Sequence, residues 1–288
     1  LTNFISIFNK VRIHPLLWLM AAVAIMTARF TEVLTLFVII FIHEMGHAIM
    51  AHFFSWRVKR ITILPFGGVA EVDEHGNRPL KEELLVTISG PLQHVWMGAF
   101  VYLLMKNGFL SQDYYDLFMN FNIMVFLFNL LPIWPLDGGK LVHLFVSSYM
   151  PFLRAVQFSL ISSFVFLLLF HFFTILTNPL NLNAWIVACY LYLSLWMERK
   201  QKHYVFMRFL MERYYGKKTI FKGLKPIQVD GEEYLYEVLE RFQRGSKHPV
   251  IIMKDGREIG KLDENEVLHA YFAEKQTDAQ VRDIMYSY

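Results

Sequence analysis

The stretch Phe37-Val38-Ile39-Ile40-Phe41-Ile42-His43-Glu44-Met45-Gly46-His47-Ala48-Ile49-Met50 decides how the chain is read. It is apolar over a length that suits a membrane helix, yet two histidines and a carboxylate sit in its middle. His43 and His47 are four residues apart, so a helix puts both imidazoles on one face, where they can hold one metal ion. Glu44 follows the first histidine, where a carboxylate can take a proton from a metal-activated water. Zn²⁺ suits imidazole ligands and leaves a position open for water. A chance match would leave His43 and His47 as satisfied core histidines. In a bilayer that reading weakens, because ionisable groups at such depth are costly and usually functional. Two histidines do not complete a zinc site, so a third protein ligand is expected elsewhere.

The composition supports a membrane setting. Of 288 residues, 55% are hydrophobic and 16% aromatic, and only 18% are charged, low for a soluble enzyme. Mean hydropathy is +0.34, and the net charge of +3 with pI near 8.8 is too mild to argue for nucleic acid. The single cysteine, Cys189, excludes an intrachain disulfide framework and a cysteine-based zinc site, and reads as a small apolar packing residue. The N-terminus is read as having no cleavable signal ahead of a soluble domain. A polytopic α-helical membrane protein with a small C-terminal α/β domain is expected.

Six spans are expected, at about Pro15–Ala28, Glu32–Phe54, Leu84–Met105, Leu117–Leu136, Val156–Thr177 and Leu182–Met197. Between the second and third, residues 61–72 read as two β-prone runs around Pro65-Phe66-Gly67-Gly68, a hairpin dipping toward the membrane with Gly67 and Gly68 at its turn. Such an edge could pair with an extended substrate, or be a surface hairpin with no substrate role. Gly90 and Pro91 suit close helix approach and a kink in the third span. Gln93 and His94 there read either as partners of the metal ligands or as helix–helix hydrogen-bonding groups. His171, in the fifth span, reads as a helix or interface contact.

The fourth span ends in Asn129-Leu130-Leu131-Pro132-Ile133-Trp134-Pro135-Leu136-Asp137-Gly138-Gly139. Two prolines break the helix, and glycines free the backbone beyond Asp137. Alone, Asp137-Gly138 is a common turn pair. Beside a two-histidine half-site lacking a ligand, Asp137 is the leading candidate.

Lys10, Arg12, Arg57 through Lys81, Lys140, Arg154 and Arg199 through Arg213 fall on one side of this topology, against little beyond Arg29 and Lys106 on the other. The positive-inside rule then puts both termini in the cytoplasm and the site toward that face. Residues 198–220 read as a charged, aromatic linker helix near the headgroups. From Leu224 the pattern turns α/β: strands at Pro226–Val229, His248–Met253 and Glu258–Leu262, helices at Glu232–Phe242 and Glu264–Phe272, and a turn at Asp255-Gly256. A module of about sixty-five residues has a marginal core, so pairing with another copy is expected.

His43-Glu44-Met45-Gly46-His47 with Asn129 through Gly139 resembles the site-2 protease family, intramembrane zinc metalloproteases that cleave substrates within or beside the bilayer. In that family an aspartate in an Asn-Pro-Leu-Asp-Gly-like motif is the third zinc ligand, which implies Asp137 here. The asparagine is displaced to Asn129 by the Leu130–Trp134 insertion; the resemblance implies substrate contacts at Asn129 and Pro135. The hairpin Leu64–Gly68 and the tail Leu262–Phe272 extend the similarity to the family's sporulation members in endospore-forming bacteria. These imply regulated intramembrane proteolysis in the membrane around the forespore, facing the mother cell. The implied substrate is the membrane-associated pro-form of sigma factor K, with inhibitory membrane proteins as partners. The tail is similar to a single cystathionine-β-synthase (CBS) domain, which implies pairing and an adenine nucleotide such as ATP as ligand. At its Gly-x-x-Thr-x-x-Asp position, Asp263 replaces the threonine and Glu266 the aspartate, adding negative charge where a phosphate would sit. The domains so implied are a transmembrane metalloprotease at 1–197, a linker at 198–222 and a cytoplasmic CBS-like domain at 223–288.

Two other classes are open to the same residues. A metal transporter could use His43, His47 and Asp137 as a transit site, but has no need of Glu44 and shows no ligand path onward. A non-catalytic sensor with a nucleotide-receiving tail leaves Glu44 unexplained.

Overall fold

The computed structural model describes residues 11–13, 15–56, 58–64, 67–72, 78–216 and 223–285. The elements run β1 (Val11–Ile13), α1 (Pro15–Met26), α2 (Phe30–Phe53), β2 (Val58–Leu64), β3 (Gly67–Val72), α3 (Leu80–Lys106), α4 (Gln112–Asn129), α5 (Asp137–Ser147), α6 (Phe152–Thr177) and α7 (Leu182–Tyr215). The tail follows as β4 (Gly223–Leu224), β5 (Ile227–Asp230), α8 (Leu235–Glu240), β6 (Ser246–Lys247), β7 (Val250–Lys254), β8 (Arg257–Leu262), α9 (Glu264–Phe272) and α10 (Val281–Met285). Helix dominates, and α2, α3 and α6 are long and apolar enough to cross a membrane.

Two compact units divide the chain. One takes residues up to 74, 81–141 and 169–191; the other takes 75–80, 142–168 and 192–288.

In the first unit, α2 and α3 expose many large apolar side chains, unlike helices of a soluble protein. Leu34, Val38, Ile49 and Phe53 of α2 are exposed, as are Leu85, Leu92, Val95 and Phe100 of α3. The buried face of α3 carries Thr87, Ser89, Gly90, Pro91, His94 and Gly98 together with Met97 and Val101. Lipid is as apolar as leucine, so large apolar side chains gain nothing by burial there, while small and polar ones let helices approach and bond. At 24 residues, α2 is about 36 Å long, enough for a hydrocarbon layer of about 30 Å. Ile39 and Ile40 pack with Met97 and Val101 of α3 and with Phe118 and Val125 of α4. α3 continues through Pro91 without a break.

β2 and β3 form the expected hairpin, but its turn is elsewhere. Leu64 pairs with Gly67 and Ile63 with Gly68, so both glycines begin β3, and the connection is 65–66, outside the described residues. β1 adds to β2 in parallel, giving the order β1-β2-β3.

The chain leaves the helical path at Asn129, not Leu136, and returns to it at Asp137, which opens the 11-residue α5. Ile133 and Leu136 are buried in the intervening bends, as proline restricts the helix on either side of them. A β-carbon on Gly138 would run into the carbonyls of Leu130 and Leu131, and one on Gly139 would lie 2.6 Å from the Ile133 carbonyl carbon. The two glycines therefore allow the bent segment to lie against the start of α5 and fix where Asp137 stands. Cys189, expected to pack inside, is exposed on the apolar part of α7.

α7 runs 34 residues without interruption, so the expected linker is helical as far as Tyr215; from Tyr192 on it belongs to the second unit. Phe206, Phe209 and Leu210 of α7 share one core with Phe152 and Leu153 of α6 and with Leu235, Val238, Val250 and Val267 of the tail. The tail sheet has order β5-β7-β8, parallel then antiparallel, with Ile252 opposite Val229 and Gly260. Arg213, at the end of α7, is buried and donates from Nε to Glu264 (2.7 Å), and to the carbonyls of Gln243 (2.9 Å) and Ser246 (2.5 Å). Glu264 in turn accepts from the His248 amide at 2.6 Å.

Candidate metal centre

α2 presents His43 and His47 one turn apart, and the first residue of α5 brings Asp137 to them. His43 Nε2 and His47 Nε2 are 3.1 Å apart, and Asp137 Oδ2 lies 3.1 Å from the first and 3.0 Å from the second. All three residues are buried. Ligands at about 2.0–2.1 Å from a tetrahedral zinc ion stand about 3.3 Å from one another, so the triangle is nearly the face of such a site.

The surroundings fix which atoms carry protons. Asn122 donates through Nδ2 to the His94 carbonyl at 3.0 Å, which orients its amide and leaves Oδ1 to accept from His94 Nδ1 at 2.7 Å. Neutral His94, protonated at Nδ1, therefore accepts at Nε2, and His43 Nδ1 stands 3.0 Å away as the donor. The remaining nitrogen of His43 keeps its lone pair. His47 donates from Nδ1 to the Val86 carbonyl at 2.7 Å, which frees its Nε2 in the same way. With neutral imidazoles, three lone pairs converge with no hydrogen among them. A cation is what such a set can share, and two nitrogens with one carboxylate oxygen suit Zn²⁺.

Close backbone approach holds the rings in place. A β-carbon on Gly90 would fall into the His47 imidazole, and one on Gly46 would lie 2.7 Å from the Ser89 carbonyl oxygen. Only glycine at these positions lets α2 and α3 come this near. Lys140 reaches back one turn of α5 to the second oxygen of Asp137, Nζ to Oδ1 3.0 Å, which turns Oδ2 toward the histidines.

Of the other residues expected from the sequence, Glu44 is buried beside the histidines on α2. His94 joins the centre through His43. Gln93 does not: it bonds the Ser89 carbonyl and Trp96 Nε1. Asn129 donates to the Val125 carbonyl of its own helix at 3.0 Å, and Pro135 is half-buried after a cis peptide bond. Neither stands in the metal-ligand triangle. His171 packs edge-on against Trp185, ring centroids 4.7 Å apart. Asn122, Lys140 and the Val86 carbonyl were missed as site groups; the spacing of Asp137 and Lys140, one helical turn, was the available signal for one of them.

In the tail, Asp263 caps α9 and Glu266 closes a capping box with it, and Lys247 pairs with Asp263 at 2.8 Å.

With this geometry in view, the comparisons with known proteins agree. The model of peptidase family M50 matches residues 31–112 and 105–170, the segments that carry α2 through most of α6. Over its whole length the chain is 45% identical to the stage IV sporulation protein FB of Bacillus subtilis, and covers all of that protein. It is 30% identical over 125 residues, 42% of this chain and 36% of the relative, to a zinc metalloprotease of Methanocaldococcus jannaschii. The solved site-2 protease of the same archaeon superposes with TM-score 0.54 at 24% identity, covering 65% of this chain and 89% of that one, and so shares the fold. The chain belongs to peptidase family M50, the site-2 proteases. It is a membrane metalloendopeptidase, and Zn²⁺ fits both the family and the donor set.

Proposed function

We propose that the chain is an intramembrane endopeptidase in which His43, His47 and Asp137 hold one Zn²⁺ and Glu44 is the general base. The convergence of three lone pairs at 3.0–3.1 Å, with tautomers set by Asn122 and Val86, carries this reading. Zinc, when bound, lowers the pKa of a coordinated water toward ~7 and polarises a carbonyl. Glu44 takes the proton of the attacking water and passes it to the leaving amine. Lys140 holds Asp137 in place through the oxygen not aimed at the histidines. A helical substrate hides its carbonyls and must unwind. β2 is paired on both sides, so the free edges of this sheet are those of β1 and β3; we place an added extended strand on β3, the hairpin's own edge. Asn129 and Pro135 border the bent segment ahead of Asp137 and are proposed to meet the substrate there.

The substrate we assign is the membrane-associated pro-form of sigma factor K, cleaved in the membrane around the forespore under restraint by inhibitory membrane proteins. Full-length identity of 45% to a sporulation protein supports it. The proposed topology has six spans with both termini in the cytoplasm. The proposed domains are the protease at 1–197, a linker at 198–222 and a CBS-like domain at 223–288 through which copies pair. An adenine nucleotide such as ATP would have to bind that module away from α9, whose N-terminus is already capped by Asp263 and Glu266.

Co-expression with the pro-form of sigma factor K tests this assignment. The unaltered chain should cleave it and Asp137→Asn should not. An unaltered chain that retains zinc but leaves the pro-form intact would refute the substrate; cleavage by Asp137→Asn would refute the ligand.

A further inference from the structure

Between α6 and α7, within the second unit, lies a cleft of about 630 Å³ that the peptidase chemistry does not use. Its walls change in character along their length. Phe164 of α6 and Tyr192 of α7 meet at one end, ring centroids 6.3 Å apart. Leu160 and Leu195 follow, then Trp196. At the other end stand Gln157, Arg199 and Lys202. Apolar wall, aromatic belt and cationic mouth thus occur in the order in which a membrane passes from acyl chains through its interface to its phosphates.

The dimensions agree with that order. Tyr192 to Lys202 is ten residues of one helix, a rise of about 15 Å, enough to run from the outer part of one hydrocarbon leaflet through the headgroup region beside it. The charged residues of α7 begin immediately after Met197, so the cationic mouth sits where the apolar segment meets headgroups. Arg199 is exposed, and among the described residues no carboxylate is recorded in an ion pair with Arg199 or Lys202. The neighbouring Lys200 is differently engaged: its ammonium lies over the Trp196 ring, 3.6 Å from the centroid.

We propose that this cleft is a binding site for one anionic phospholipid, its phosphate held by Arg199 and Lys202 and an acyl chain laid along Leu160, Phe164 and Leu195. A membrane helix of another protein is a poorer occupant. Helices that pack in lipid approach through small residues, and the apolar part of this cleft is lined by Leu160, Ile161, Phe164 and Leu195. The mouth also matches the phosphate in charge, which an apolar helix would leave unanswered.

The test uses the full chain in nanodiscs of phosphatidylcholine with trace spin-labelled phosphatidylglycerol or phosphatidylcholine, reading the motionally restricted fraction of each. The unaltered protein should prefer phosphatidylglycerol, and Arg199→Gln with Lys202→Gln should each cut that preference about five-fold. Lys200→Gln removes the same charge from the same helix but outside the cleft, and should change it less than two-fold by this assignment. Equal losses at Lys200 and Arg199 would reduce the effect to general surface charge and overturn the proposal. Undiminished preference in the Arg199 and Lys202 variants would do the same. In a Cys189→Ser background, a disulfide between two Leu160→Cys chains would put a second copy in the cleft instead of lipid. Zinc content, measured alongside, reports that each variant is folded.

Discussion

Replacing His94 by leucine and by glutamine separates the hydrogen-bond chain from mere packing. His94 Nε2 accepts the only proton that His43 can place away from the metal position, at 3.0 Å inside a buried site. Leucine fills similar space but accepts nothing, so the His43 Nδ1–H is stranded, at about 1–3 kcal/mol for an unsatisfied buried donor. The ring can escape by moving its proton to Nε2, and that removes the lone pair meant for zinc. Either way the loss falls on metal affinity. Groups that orient a histidine ligand are commonly worth 10–100-fold, or roughly 1.4–2.7 kcal/mol. His94→Leu should therefore weaken zinc binding by about 10–100-fold in competition with a chelator of known affinity. His94→Gln keeps a carbonyl oxygen able to accept from His43 and should recover most of that loss. If the leucine variant binds zinc within about three-fold of the unaltered protein, a margin well below that range, the inferred chain from Asn122 to His43 is wrong. It is equally wrong if glutamine is no better than leucine.

Three further outcomes follow from other contacts. Gly90→Ala puts a methyl into the His47 ring, so zinc content and cleavage should fall together while secondary structure by circular dichroism is kept. Arg213→Ala leaves Glu264 buried without its partner and should destabilise the tail by about 3–5 kcal/mol, seen as faster amide exchange across β7 and α9 in the full chain. Burial pushes His248 below its ordinary value of 6.5, its Nε2 accepting the Gln243 amide at 2.8 Å while Nδ1 donates to the Lys225 carbonyl. The folded tail thus binds fewer protons than the unfolded one, so its stability is complete above pH 6.5 and declines as the pH falls below it; amide exchange of β7 at pH 7.5 and 5.5 should show this loss.

The three residues that converge could be read from the sequence because their chemistry is rare where they occur. His43 and His47 interrupt an apolar run, and Asp137 follows a doubly broken helix, so each is conspicuous against its neighbours. Their supports are not. Asn122 is one of three asparagines on α4, and its partner His94 lies 28 residues away. The Val86 carbonyl has no side-chain signature at all. Gly90 was legible as a close-approach residue but not as the floor beneath His47. Misplacement of Gly67 and Gly68 has a plain cause: glycine marks turns by its backbone freedom, yet strand pairing of Leu64 with Gly67 settles the register. The end of the fourth segment moved for a similar reason. Hydropathy runs on to Leu136, while Pro132 and Pro135 forbid the helix that hydropathy alone would draw. In the tail the helix Glu264–Phe272 coincides with α9, since Asp263 and Glu266 spell out its capping box.

The central claim is that Glu44 moves the proton while His43, His47 and Asp137 hold the zinc. Zinc content and cleavage of the pro-form of sigma factor K, measured on the same preparation of Glu44→Gln, test it most directly. The account requires one zinc per chain and no cleavage. Cleavage at the unaltered rate would remove Glu44 from the mechanism, and loss of the zinc would make it part of the metal site instead.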